Sequence, residues 1–128
     1  MALIYKKRKL AMISQPMNGK SKDEIEATRA EAEKHLESLD YDVINSWFKD
    51  EFYNDADLAY KNGIKNDFIW FLAKSLDAMS KCDAVYFCKD WEYARGCRIE
   101  HRVATDYGME VMYEEDLEAK DEIDFDGK

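Results

Sequence analysis

Glu100 is the residue whose type and place most invite chemistry. It sits in the stretch D-A-V-Y-F-C-K-D-W-E-Y-A-R-G-C-R-I-E-H-R-V-A-T-D-Y-G-M-E-V-M-Y, Asp83 to Tyr113. Val103, Ala104 and Tyr107 follow it by three, four and seven positions, and Ile99 precedes it, so a helix here puts the carboxylate on the face expected to pack. Such a group is either structural, satisfied by backbone N–H groups and the helix dipole, or a working nucleophile or acid/base tuned by burial beside a ligand. The structural use is the commoner one for a helix-start glutamate. The inward position narrows that gap.

Two loops hold the other candidates. Ser14 to Ser21, S-Q-P-M-N-G-K-S, joins a strand end to a helix start, contains the only proline, and offers turn N–H groups, Gly19 and the cation of Lys20. An anion cradle and a bare strand-to-helix turn fit it equally well. It has neither G-x-x-x-x-G-K-S/T nor G-x-G-x-x-G spacing. Lys89 to Gly96, K-D-W-E-Y-A-R-G, could stack a base or sugar on Trp91 and Tyr93 and meet an anion with Arg95 or Arg98. Taken singly, each of these residues fits plain packing or ion pairing better. The two histidines, His35 and His101, pair with no Cys or Asp at metal-ligand spacing, so no metal and no cofactor is expected. Cys82, Cys88 and Cys97 read as core or loop thiols in a reducing, cytoplasmic setting.

The elements that must position these groups alternate strand and helix. Lys9–Ser14 is a strand. Ser21 caps a helix to about Leu39, with Glu24 completing a capping box and Ile25, Thr28, Ala32, Leu36 and Leu39 inward. Tyr41–Ser46 is a strand. Residues 47–63 are acidic and aromatic without period and read as an insertion or lid, with a short helix around Ala56–Tyr60; Trp47, Phe48, Phe52 and Tyr53 are expected to pack as a satellite cluster. Lys65–Lys81 is a helix with Phe68, Leu72, Leu76 and Met79 inward, widened by Ile69 and Phe71. Ala84–Cys88 is a buried strand, Gly96 to Gly108 a helix, and Met109–Tyr113 a last strand. That order predicts one α/β domain over 1–113, a three-layer αβα sandwich on a small parallel sheet, flavodoxin- or Rossmann-like in kind. Residues 114–128 form an acidic tail.

The chain has 128 residues, a formal net charge of -9 and a pI near 4.7. That balance argues against a nucleic-acid polymer as partner, which needs a concentrated basic face. No apolar run approaches the ~20 residues that span a bilayer, and the basic start lacks the apolar core of a signal peptide.

I-S-Q-P-M-N-G-K and the Asp83–Gly108 stretch together resemble a family of small, mostly uncharacterised proteins of phages and bacteria, relatives of the nucleoside 2-deoxyribosyltransferases. The resemblance covers most of the chain. Gly96, Glu100, Ala104 and Gly108 match those enzymes' glycine, nucleophilic glutamate and E-x-x-x-A-x-x-x-G run. It implies that Glu100 attacks the anomeric carbon of a 2-deoxyribonucleoside or its monophosphate and releases the base, by hydrolysis or transfer. It implies substrate contacts from Ser14, Gln15, Pro16, Met17, Asn18, Gly19, Ser75, Trp91, Arg95 and Gly96, and a homodimer or larger homo-oligomer. Two positions depart from the pattern: Ser75 stands where the enzymes carry an aspartate, and Asn18 where monophosphate-hydrolysing relatives tend to carry arginine. The departures leave room for a slower hydrolase, another base, or a binding module that kept the pocket. A dimeric accessory protein acting through protein contacts is the blandest alternative.

Overall fold

A computed structural model of the chain describes residues 8–45 and 63–114. The elements are strand β1 (Lys9–Ser14), helix α1 (Lys22–Ser38), strand β2 (Tyr41–Val43), helix α2 (Asp67–Met79), strand β3 (Ala84–Phe87), a 3₁₀ turn (Trp91–Tyr93), helix α3 (Arg95–Asp106) and strand β4 (Glu110–Tyr113). The strands form one parallel sheet in the order β2-β1-β3-β4. The fold is the α/β three-layer sandwich that the alternation of strands and helices predicts. The expected lid at 47–63 lies outside the described residues but for Gly63, its short helix and aromatic cluster wholly so, and of the tail at 114–128 only Glu114 is described.

The two central strands are apolar where both their faces are covered, Leu10 to Ile13 of β1 and all of β3. Ala11, Ile13, Ala84, Tyr86 and Cys88 pack with Ala32 and Leu36 of α1. Met12, Val85 and Phe87 point the other way, to Ala78 and Met79 of α2 and Ala104 of α3. Successive strand residues thus alternate between the layers. The chain leaves β1 to one side for β2 and returns on its other side as β3, so the carboxyl ends of β1 and β3 flank the topological switch point. Open parallel sheets bind ligands there.

Local signals set the helix ends. Ser21 Oγ accepts from Glu24 N at 3.1 Å and Glu24 Oε1 accepts from Ser21 N at 2.8 Å, the reciprocal cap read from S-x-x-E. Asn66 caps α2 through Ile69 N at 3.0 Å. Gly108, at φ +74°, takes the left-handed turn after α3 that a Cβ would oppose.

Several inward assignments need correction. Ile99 is 38% exposed and Tyr107 81% exposed. The buried arc of α3 is instead Cys97, Glu100 and Ala104, and Tyr107 lies past the last helical residue, where the periodicity no longer applies. Phe68 and Ile69 are 61% and 62% exposed. Their turn opens α2, whereas Leu76, Ala78 and Met79 at its far end pack into the core. Leu39 is the exposed C-cap of α1. Conversely, Arg29 is buried on a helix face set aside for charge. It follows Ile25 by four positions and precedes Ala32 by three, so its place on the inner face was readable; its charge argued against it.

Candidate functional site

The carboxylate of Glu100 comes to rest at the switch point. β1 ends at Ser14, and Cys88 N donates to Ser14 O at 2.9 Å, so β3 ends beside it. Helix α3 begins seven residues after Cys88 and directs Glu100 back against that edge. Ser14 Oγ donates to Glu100 Oε1 at 2.6 Å, a buried bond across 86 residues of sequence. Ser75 of α2 adds a second hydroxyl to the same carboxylate. Three elements therefore converge on one acid that is 8% exposed.

Burial raises the Glu100 pKa, because the charged form loses its hydration; the hydrogen bonds from Ser14 and Ser75 pull it back down. Cys97, one turn earlier on α3, lies in hydrogen-bonding contact with Ser14. Burial pushes its thiol up to about 11, and the Glu100 charge adds to that push, so Cys97 stays protonated. Cys88 is pushed up to about 12 by burial and the Glu114 charge. A reactive cysteine needs a lowered pKa, so neither thiol reads as a nucleophile, as expected from sequence.

The two loops frame this point differently. Gln15 is buried, its Nε2 donating to Ile25 O at 3.1 Å. Pro16 and Met17 are half-buried, and Asn18 and Gly19 are exposed on a turn closed by Lys20 N to Met17 O at 3.2 Å. Gly19 holds φ +77° there. The capping box places Glu24 on the N–H end of α1, with Asp23 beside it. Those two acids meet the helix dipole that an anion would otherwise occupy, which favours the plain turn over the anion cradle.

In the second loop, Trp91 stacks on His101, centroids 4.1 Å apart and 27° between planes, and leans on Phe87 at 5.3 Å. His101 Nε2 and Tyr113 OH are 2.6 Å apart. The ring expected to stack on a ligand thus has one face given to the protein. Arg95 lies over the Phe68 ring at 5.7 Å, and Arg98 Nη1 donates to Glu92 O at 3.2 Å. Tyr93 is exposed. A Cβ built at Gly96 would meet nothing within 4 Å. Gly96→Ala is therefore expected to stabilise the domain by about 0.4–1 kcal/mol, through lost freedom of the unfolded chain, read as a higher urea midpoint. A loss of stability would mean that something packs against Gly96.

Sequence reasoning brought Glu100 to the right edge but did not pair it with Ser14 or Cys97. Ser14 follows Met12 by two along β1 and so points to the same α2/α3 face, a signal that was available. Cys97 precedes Glu100 by three, on the same face. A separate open groove of about 400 Å³ lies on the α1 layer among Thr28, Glu31, His35, Tyr86 and Glu114. It lies across the sheet from Glu100, on the face of Tyr86 and α1, and two carboxylates wall it, Glu31 exposed and Glu114 accepting from Lys89 N. The buried Glu100, held by two hydroxyls, is the better-organised group. Among the described residues no cluster of His, Cys, Asp or Glu could hold a metal ion, and no helix is long and apolar enough to cross a membrane.

Fold and site together define a small parallel α/β domain with a buried carboxylate at its switch point. A family model matches residues 9–113, and the chain belongs to that family, a domain of unknown function designated DUF4406. Comparison with curated proteins and with solved structures found no match.

Proposed function

We propose that the protein is a nucleoside or nucleotide N-glycosidase, or a 2-deoxyribosyltransferase-like enzyme, with Glu100 as nucleophile. One observation carries this reading: the 2.6 Å bond that fixes a buried carboxylate at the carboxyl ends of β1 and β3. A carboxylate so held can attack the anomeric carbon of a deoxyribose lying over the switch point. The C1′–N bond breaks, its electron pair leaving with the base, and an ester of Glu100 forms. Water or a second base then attacks C1′ and returns the carboxylate, the two inversions giving net retention. The resemblance at Gly96, Glu100, Ala104 and Gly108 supports the same assignment. So do Gln15 to Gly19, which lie beside Ser14 where the sugar would be lined.

A second reading is a nucleotide-binding module that kept the pocket. The contact of Ser75 with Glu100, at the position where the resembling enzymes have an aspartate, favours it. A serine hydroxyl is no general acid for a departing base near neutral pH. Incubation with a panel of deoxynucleosides and their monophosphates separates the two. Free base in the mixture supports the enzyme. A compound that raises the melting temperature and is recovered unchanged supports the module and overturns the enzyme.

A further inference from the structure

We propose that Ser14 and Ser75 are positioning residues that hold the Glu100 carboxylate ionised and in a single orientation. The inference rests on the reading of Glu100 as nucleophile, and assigns Ser75 a role other than that of an acid. A carboxylate that is 8% exposed has lost most of its water, and hydroxyl donors are what can replace it. Ser14 Oγ has one hydrogen, and the 2.6 Å bond spends it on Glu100 Oε1. Cys97, three residues before Glu100 on the same helix face, sits beside that hydroxyl. A hydroxyl bonded to a charged oxygen is the stronger for the low dielectric around it.

The second hydroxyl arrives from a different layer element. Ser75 lies in the middle of α2, and Ser14 ends β1, so the carboxylate is gripped from two directions. One donor would leave it free to swing about the first bond. Two fix the plane of the carboxyl group and hence the direction of its attacking lone pair. Among the described residues, the groups at Glu100 are Ser14 from β1, Ser75 from α2 and Cys97 from α3, with Cys88, just past β3, near Cys97. Both thiols stay neutral through the range in which a carboxyl titrates, so the hydroxyls are the adjustable part.

The test reads the carboxyl directly and needs no substrate. Protein labelled with ¹³C at the glutamate side-chain carboxyl is titrated by NMR as wild type, Ser14→Ala, Ser75→Ala, Ser75→Thr and Cys97→Ala, with Glu100→Gln assigning the signal. Removing either serine is expected to raise the Glu100 midpoint by roughly one pH unit, the scale of one hydrogen bond to a charged group. Ser75→Thr, which keeps the hydroxyl, should restore the wild-type midpoint. Cys97→Ala, which takes no hydrogen bond from the carboxylate, should leave the midpoint near the wild-type value. Unmoved midpoints in both alanine variants would overturn the inference even if the wild type releases base. Shifted midpoints in a protein that releases no base would leave the donor pair standing and remove the nucleophile. If Ser14→Ala does not fold, Ser75→Ala alone decides.

Discussion

Replacing Glu100 with glutamine is expected to cut base release by about 10³-fold or more and to leave the fold intact. The two side chains have the same shape, and the amide oxygen can still accept from Ser14 and Ser75. What changes is the charge. Burial raises the Glu100 pKa above its ordinary 4.5, so the folded protein binds this proton more tightly than the unfolded chain. Stability from this group is then complete below the unfolded value and is lost as pH rises through the folded one. At neutral pH the wild type therefore carries a cost that glutamine lacks. Glu100→Gln should be the more stable protein at about pH 7, by on the order of 1 kcal/mol, or about 3–5 °C in Tm. The advantage should vanish near pH 4. Thermal melts at both pH values, beside the base-release assay, check the pair of effects. A melting temperature that falls at neutral pH would mean that the carboxylate is a structural group needed in its charged form.

The second large effect concerns the scaffold under the site. Phe87 is the largest fully buried side chain among the described residues. Its ring meets Trp91 at 5.3 Å, His101 at 5.0 Å and Tyr113 at 6.0 Å. These partners come from the 3₁₀ turn, α3 and β4, so one ring ties together the elements that deliver Glu100. Phe87→Ala should cost about 3–5 kcal/mol, the range for emptying an aromatic site in a packed core. Because Trp91 and His101 would lose their shared support, the near-ultraviolet circular dichroism of the aromatic stack should weaken as well. Urea unfolding gives the first number. A loss under about 1 kcal/mol would show that neighbouring side chains refill the space.

Much of this was legible in the chain. Ala84 to Cys88 is apolar at every position, which only a strand covered on both faces tolerates, and the structure covers it so. Ser21 and Glu24 announce their capping box by spacing alone. Glu100 was readable as inward because Ala104 follows it by one turn. The failures have physical causes. Phe68 and Ile69 carry the helical period, but their turn opens α2 far from the residues that reach the sheet. Tyr107 continues the period of α3 past its end. Arg29 sits on the apolar face at a spacing that pointed inward, and its charge argued otherwise. The Ser14–Glu100 bond spans 86 residues, and no local pattern encodes a contact that the strand order β2-β1-β3-β4 creates.

The covalent step is the claim on which the proposed activity depends, and it can be trapped. A nucleoside bearing fluorine at C2′ in the arabino configuration slows both halves of a retaining displacement, since the electron-poor carbon resists positive charge at C1′. Slow hydrolysis lets the sugar ester accumulate. Peptide mass spectrometry of protein incubated with such analogues should find the fluorinated sugar on the peptide carrying Glu100, together with an equal amount of free base. Base released while Glu100 remains unmodified and another residue carries the sugar, or no base released from any analogue or parent nucleoside, would contradict it.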